Sequence, residues 1–291
     1  EKVLNDLDWS RDSVQALIFV SQTPDYLLPA TSCCLHERLG LSPHCAAFDI
    51  NLGCSGYVYG LMVASQLVAG GMNRVLLLVG DTVTRITDRT DRATHPLFGD
   101  AGSATALEAE PGADPWHFIL GTDGSGRDNL IVKSGLFRSP TEPSSEDDDP
   151  TQQFLFMDGA EIFSFALREV PPLVKAALAA AEWTTDDVDA VVMHQANQFL
   201  LNHLRKRLKL PEDKVPLSLN KYGNTSSASI PLTLAQLVSA SDKATSQTTK
   251  CVLVGFGVGY SWGAAALSIG AMPTPQILTV PDCPALSVEK E

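Results

Sequence analysis

Cys54 is the residue whose setting best suits chemistry, because it lies in the glycine-flanked run Gly53-Cys54-Ser55-Gly56. The apolar segment 46–50 before this run predicts a strand, and the apolar segment 57–69 after it predicts a helix. Cys54 should therefore occupy a strand-to-helix turn, where unpaired N–H groups and the helix dipole favour an anion. We predict a nucleophilic cysteine with a lowered pKa. The alternative is a small buried side chain, as most free cysteines are.

The other five cysteines lack this context and are predicted to be structural: Cys33, Cys34, Cys45, Cys251 and Cys283. No two cysteines have CxxC spacing, and the adjacent pair is badly placed to bond to itself. These spacings argue against a zinc site or a disulfide framework and favour a reducing, cytoplasmic location.

Two polar side chains are candidate partners of Cys54. His194 follows the apolar run 188–193, and open α/β sheets place their chemistry at the carboxyl ends of strands. Asn224 lies in a polar run before a predicted helix, so a helix cap is the alternative reading of that residue. A neutral histidine and an amide can both donate hydrogen bonds to one thioester oxygen. They would thereby stabilise the enolate that a malonyl thioester forms on losing carbon dioxide.

A glycine-rich turn, 255–263, precedes the last predicted strand. Its backbone N–H groups are candidates to form an oxyanion hole with that of Cys54. A phosphate-binding loop is the alternative, but such loops lead into a helix and this turn does not.

The elements that must position these residues recur in two halves of the chain. Three pairs of strand-like runs follow in the same order: 14–20 with 188–193, 75–80 with 250–255, and 102–107 with 263–267. Continuous apolar strands that alternate with helices indicate sheets covered on both faces, so we predict a duplicated α/β fold. Four helices are predicted, at 54–70, 159–181, 198–208 and 226–239, the second kinked or split by Pro171-Pro172.

Charge and hydropathy exclude two classes of function. The net charge of −13 argues against nucleic-acid binding. Part of that charge lies in the acidic segment 142–149, which is predicted to be a solvated loop. No run of 18 or more apolar residues occurs, so no membrane span is predicted.

Taken together, the motifs resemble β-ketoacyl-acyl-carrier-protein synthase III, a family of thiolase-like condensing enzymes. The matching segments are, in family order, Gly53-Cys54-Ser55-Gly56, Phe98-Gly99-Asp100-Ala101-Gly102, Met157-Asp158-Gly159-Ala160-Glu161-Ile162-Phe163, His194-Gln195-Ala196-Asn197, Gly223-Asn224-Thr225-Ser226-Ser227-Ala228-Ser229 and Gly257-Val258-Gly259-Tyr260-Ser261-Trp262-Gly263.

The resemblance implies a thiolase-like, five-layer αβαβα fold of two duplicated halves. Residues 1–148 would form the half that carries Cys54, and residues 149–291 the half that carries His194 and Asn224. The family opens with a strand–helix unit that has no counterpart here, so we expect Glu1 not to be the natural start. A homodimer is also implied.

The resemblance further implies a ping-pong reaction. An acyl-CoA starter would acylate Cys54. A malonyl-acyl carrier protein would then lose carbon dioxide while His194 and Asn224 donate hydrogen bonds to its thioester oxygen. The resulting carbanion would attack the acyl-enzyme and give a 3-oxoacyl product. The backbone N–H groups of Cys54 and Val258 would form the oxyanion hole. No metal or redox cofactor is implied beyond the CoA thioester substrates.

Residues expected to bind substrate or partner are also assigned by the resemblance. Leu28 would lie on the loop that reaches the partner's acyl tunnel, where the family often has Phe. Arg92 and Phe199 would lie near CoA, although the family usually has Arg at the second position. A basic cluster on one helix would dock the acidic carrier protein: Arg205, Lys206 and Arg207.

Two other functions stay open at this stage. The first is a thiolase-fold acyltransferase of specialised metabolism that moves the acyl group from Cys54 to an oxygen or nitrogen acceptor. Release of carbon dioxide separates it from a condensing enzyme of fatty-acid or polyketide biosynthesis. The second is a catalytically silent subunit, against which the intact Cys54, His194 and Asn224 argue.

Overall fold

The computed structural model describes residues 1–140, 150–239, 248–270 and 272–280. The acidic segment 142–149, Cys283 and the division expected between residues 148 and 149 lie outside these residues. The strands are β1 Ala16–Val20, β2 Ala46–Ile50, β3 Arg74–Asp81, β4 Ala101–Glu108, β5 His117–Thr122, β6 Leu130–Ile131, β7 Phe156–Met157, β8 Ala190–Met193, β9 Thr249–Gly257 and β10 Ser261–Ile269. The α-helices are α1 Lys2–Asp6, α2 Thr31–Leu39, α3 Gly56–Ala69, α4 Gly159–Ala180, α5 Gln198–Leu208, α6 Leu219–Tyr222 and α7 Ser229–Ser239.

Three strands in each of the two four-stranded sheets share one pairing pattern. The first has the order β2-β1-β3-β4 and the second the order β5-β10-β9-β8. In the first sheet β1 is parallel to β3, and β3 is antiparallel to β4. In the second sheet β8 is parallel to β9, and β9 is antiparallel to β10. The three strand pairs that the sequence repeat predicted therefore occupy equivalent places, and the predicted duplication is confirmed.

Helices and sheets alternate in layers, because the strands are apolar on both faces. On β1 and β3, Leu17 and Leu76 face the cluster that includes α1 and α2, whereas Ile18 and Leu77 face α3. Helices α3 and α7 pack between the two sheets. Helices α4 and α5 cover the outer face of the second sheet. The result is five layers, as the fold class predicted.

The predicted helices agree closely with the structure, with two differences. The segment 226–239 divides into a short 3-10 helix, Ser226–Ala228, and α7. Helix α4 runs through Pro171 and Pro172 as one element, so of the predicted kink or split the split does not occur. Its buried stripe, which includes Phe165 and Val174, packs on the second sheet and offsets the backbone hydrogen bonds that the prolines remove. Strand β5 lacks a clear sequence signal and was not predicted.

Candidate active site

The turn predicted around Cys54 is present. Strand β2 ends at Ile50 and α3 begins at Gly56, with Ser55 as the N-cap residue. The Ser55 hydroxyl does not cap the helix but forms a 2.6 Å hydrogen bond with the hydroxyl of Ser261, the first residue of β10. This bond ties the start of α3 to the second sheet.

Strand β9 comes so close to this turn that only glycine fits beside it. A Cβ atom on Gly255 would lie 2.7 Å from the Ser55 Cα. One on Gly257 would lie 2.7 Å from the Cys54 Cβ and 2.9 Å from its Sγ. Gly255 and Gly257, the first two glycines of the segment 255–263, therefore allow the β9 backbone to approach the Cys54 turn.

The Cys54 side chain is buried, and its pKa is raised to about 11. Burial is the main cause, and the negative charge of Asp81 adds to it. Three hydrogen bonds lower the pKa by less than burial raises it; they come from the Val258 backbone, the Ser226 hydroxyl and the Cys54 backbone. The predicted low pKa is therefore wrong, because loss of solvent outweighs the helix terminus. The Val258 and Cys54 backbones are the two whose N–H groups are expected to form the oxyanion hole, and that role stays a prediction.

His194 follows the last residue of β8 and is 2% exposed. Its Nδ1 lies 2.7 Å from the Ser229 Oγ, and its ring meets Phe256 edge to face. Burial lowers the pKa of His194 to about 4, against the opposing effects of a hydrogen bond with the Ser226 backbone and the charge of Asp81. The imidazole is therefore neutral at pH values near 7, as the enolate-stabilising arrangement requires.

Asn224 is buried in the loop before the 3-10 helix. Its Oδ1 accepts a 3.0 Å hydrogen bond from the Ser226 N–H, which leaves the amide Nδ2 as its donor group. Its backbone N–H donates to the Leu97 carbonyl at 2.9 Å, and its carbonyl accepts from the Gly99 N–H at 3.0 Å. The loop that contains Leu97 and Gly99, in the first half of the chain, thus holds Asn224 of the second half in place.

Ser226 joins the three predicted site residues. Its hydroxyl lies near enough to Cys54 to lower the pKa of that thiol, and its N–H donates to the Asn224 Oδ1. Its carbonyl accepts from the Ser229 hydroxyl, which in turn lies 2.7 Å from the His194 Nδ1. Its φ of 50° lies in the left-handed region that residues other than glycine seldom adopt. Such backbone strain is typical of functional sites, where neighbouring contacts hold it.

A cavity of about 50 Å³ opens beside Cys54. Its apolar lining is Val83, Ile86, Phe98, Leu130, Leu155 and Val258, and its polar lining is Gln22, Thr23, Asp81 and Ser226. The sequence reasoning missed Asp81 and Ser226. Asp81 carried a usable signal, because it directly follows the strand predicted at 75–80, at an end where α/β sheets place functional groups.

The predicted binding residues lie apart from this cavity. Phe199 is 65% exposed, stacks on Phe163 and lines a second cavity of about 400 Å³ between the N-terminal ends of α4 and α5. Leu28 is 79% exposed. Arg205 is partly buried and donates to the Leu210 carbonyl at the end of α5. The other basic residues are exposed: Arg92, Lys206 and Arg207.

Comparison with known proteins identifies the family. A model of 3-oxoacyl-[acyl-carrier-protein] synthase III matches residues 48–124, and the model of its C-terminal part matches residues 178–269. A β-ketoacyl-[acyl-carrier-protein] synthase III of Geobacillus kaustophilus is 35% identical over 272 residues, which are 93% of this chain and 81% of that protein. The chain belongs to the 3-oxoacyl-[acyl-carrier-protein] synthase III family.

Solved structures agree with this assignment. A 3-oxoacyl-(acyl-carrier protein) synthase from Burkholderia xenovorans LB400 superposes with a TM-score of 0.87 at 48% identity, over 93% of this chain and 78% of that one. A priming β-ketosynthase from the R1128 polyketide pathway has a TM-score of 0.80 at 30% identity, over 93% and 79%. The family resemblance and the thiolase-like fold predicted from the sequence are confirmed, and the chain is an enzyme of the condensing acyltransferase type.

Two negative findings complete the description. In the ranges that the structure describes, no group of three or more His, Cys, Asp or Glu side chains is arranged to hold a metal ion. No helix among the described residues has the length and apolar character needed to cross a membrane.

Replacing Gly257 by Ala should slow alkylation of Cys54 by iodoacetamide, because the added Cβ would lie 2.9 Å from the sulfur and block the reagent's approach. A slowing of about tenfold corresponds to roughly 1.4 kcal/mol on the barrier. The matched control is Gly102→Ala on β4, where an added Cβ meets nothing closer than 3.5 Å. Mass spectrometry of the Cys54 peptide measures the rate. Wild-type alkylation in Gly257→Ala would contradict the close approach.

The raised pKa of Cys54 predicts how its reactivity depends on pH. Because the thiolate reacts, the alkylation rate should rise about tenfold per pH unit between about pH 7 and about pH 9, without reaching a plateau. Peptide mapping isolates the Cys54 adduct from those of other cysteines, and Cys54→Ser provides the blank. A plateau below about pH 8 would show that the thiol has a lowered pKa after all.

Proposed function

We propose that the chain catalyses the decarboxylative condensation of an acyl-CoA starter with a malonyl-acyl carrier protein, through an acyl group on Cys54. The observation that carries the proposal is the Ser226 junction. Ser226 affects the pKa of the buried Cys54 thiol, bonds directly to the Asn224 amide and is linked through Ser229 to the neutral imidazole of His194. The relatives named above, with carrier-protein substrates in their names, support the same reaction.

In the first half-reaction, the Cys54 sulfur attacks the thioester carbonyl of the acyl-CoA. The neutral imidazole of His194 is the proposed acceptor of the thiol proton, because a thiol with a pKa of about 11 carries little thiolate at neutral pH. The N–H groups of Cys54 and Val258 stabilise the oxyanion. The bond from carbon to the CoA sulfur then breaks, and CoA leaves with a proton as its thiol.

In the second half-reaction, His194 and the Asn224 Nδ2 donate hydrogen bonds to the thioester oxygen of the malonyl group. The bond to the carboxylate breaks, carbon dioxide leaves, and the electron pair stays on the α-carbon as an enolate. This carbon attacks the acyl carbonyl, the bond to the Cys54 sulfur breaks, and the 3-oxoacyl thioester is released. The sulfur leaves as a thiolate and takes up one proton from solvent, which restores the Cys54 thiol. No electrons pass to an outside acceptor, so the chemistry requires no redox cofactor.

The proposed partners are an acyl carrier protein, acyl-CoA and a second copy of the chain. Three consecutive apolar side chains, Tyr26, Leu27 and Leu28, are 61%, 63% and 79% exposed, which supports burial of this loop in a homodimer. The exposed Lys206 and Arg207 support docking of an acidic carrier protein.

An acyltransferase that uses an oxygen or nitrogen acceptor is the second candidate. The observation that favours it is the cavity between α4 and α5, where the exposed Phe199 ring stacks on Phe163 at the position that usually carries Arg in the family. Such a surface would suit an apolar acceptor.

Two measurements test the proposal together. Intact-mass analysis after incubation with a panel of acyl-CoAs should find one acyl group per chain, mapped to Cys54. Addition of malonyl-carrier protein should then release carbon dioxide and a 3-oxoacyl product. An acylated Cys54 with no release of carbon dioxide would favour the second candidate.

Replacing Asn224 by Ala should reduce malonyl decarboxylation by about 10²–10³, because one donor to the developing oxyanion is lost. Acylation of Cys54 should stay measurable, since the Cys54 and Val258 N–H groups serve that step. The exposed Asn73→Ala is the matched control. Wild-type turnover in Asn224→Ala would leave Asn224 with only its structural bond to the Ser226 N–H.

Reversing the charge of Lys206 and Arg207 to Glu should raise the KM for malonyl-carrier protein, most strongly at low salt, because screening already weakens these contacts at high salt. Loading of Cys54 from acyl-CoA should change little. A control with the same change in net charge reverses Lys175 and Arg38, which are exposed elsewhere. An unchanged KM at low salt would assign the acceptor role to CoA or a small molecule.

A further inference from the structure

Asp81 is a buried carboxylate to which the mechanism above gives no role. It ends β3, is 3% exposed and lines the cavity beside Cys54. None of the ion pairs found among the described residues involves it. A buried carboxylate without a cation is costly unless hydrogen bonds satisfy it, so its presence at this cavity requires a physical reason.

Four hydrogen bonds satisfy this carboxylate, and they come from two segments on opposite sides of the site. The Oδ1 accepts from the Ser21 hydroxyl at 3.1 Å and from the Gln22 N–H at 2.7 Å, directly after β1. The Oδ2 accepts from the Ser227 hydroxyl at 2.6 Å and from the Ser227 N–H at 3.1 Å. Ser227 lies in the 3-10 helix Ser226–Ala228, so one side chain of the first sheet holds the segment that organises the site.

We propose that Asp81 is a positioning residue for acyl transfer. Its hydrogen bonds to Ser227 hold the neighbouring Ser226 in place beside Cys54, His194 and Asn224. The role in turnover rests on the function proposed above, whereas the contacts themselves do not. A carboxylate suits this position better than an amide. It presents acceptors to all four donors, whereas asparagine has one acceptor oxygen and would turn an NH2 group towards two of them.

The charge of Asp81 has a second, independent consequence. The titratable groups on which it acts are Cys54, at the turn before α3, and His194, at the end of β8. Its other neighbours, Ser21, Gln22 and Ser227, are uncharged. The charge raises the pKa of both groups, so its removal should shift the reactivity of Cys54 towards lower pH. The shift reports the charge of Asp81 alone, whereas the kcat of Ser227→Ala reports its contact with Ser227.

Three variants test the proposal: Asp81→Asn, Ser227→Ala and, as a matched loss of one carboxylate, Asp49→Asn. The Asp49 carboxylate accepts from the N–H groups of Thr31 and Ser32 at the start of α2. For each variant, kcat and KM for acyl-CoA and the pH profile of Cys54 alkylation are measured, with rates normalised to the folded fraction.

We expect Asp81→Asn to lower kcat by at least about tenfold, with KM for acyl-CoA within about twofold of wild type and the alkylation profile moved to lower pH. Ser227→Ala keeps the charge and one hydrogen bond, so kcat should fall by about fivefold without a shift in the profile. Asp49→Asn should leave both quantities unchanged.

Wild-type kcat in Ser227→Ala would overturn the proposal, whether or not Asp81→Asn folds, because the contact with Ser227 would then have no effect on turnover. A wild-type enzyme that makes no 3-oxoacyl product would instead refute the proposed function. In that case the alkylation profiles and the acylation rate of Cys54 still decide the role of Asp81.

Discussion

Helix α3 lies between the two sheets, and its tight packing there determines how deeply the side chains of the site are buried. Gly60 brings the helix so close to the first sheet that a Cβ atom would lie 2.8 Å from both Leu77 and Val20. At its N-terminal end, Gly255 and Gly257 bring β9 equally close to Ser55 and Cys54. The nucleophile is therefore held where the two halves of the duplicated fold meet, and not on an open rim.

That depth decides the protonation of the site. Burial raises the pKa of the Cys54 thiol and lowers that of the His194 imidazole, so both are neutral near physiological pH. The helix terminus alone would favour a thiolate, but it acts on a group that has lost its solvent. A neutral pair suits both proposed half-reactions, since one imidazole tautomer can accept the thiol proton and the other can donate a hydrogen bond to the thioester oxygen.

The sequence predicted those features that depend on local pattern. The repeated strand runs became equivalent strands of two sheets, the segment 198–208 became α5, and the turn around Cys54 formed as expected. Cys54, His194 and Asn224 were found from residue type and from position at strand ends. The features it missed depend on packing between distant segments. Ser226 lies at the site because segments of the two halves pack together there. The pKa of Cys54 is raised because β9 packs against the residue and buries it.

The central claim is that an acyl group on Cys54 is transferred to the carbon of a decarboxylating malonyl thioester. A single-turnover experiment tests it directly. The chain is acylated with a carbonyl-labelled acyl-CoA, freed of excess CoA thioester and mixed with malonyl-carrier protein. The label should leave Cys54 and appear at the keto carbon of the 3-oxoacyl product, at the rate at which carbon dioxide forms. A label that stays on Cys54 while carbon dioxide is released, or that appears in an ester, an amide or the free acid, would contradict the account.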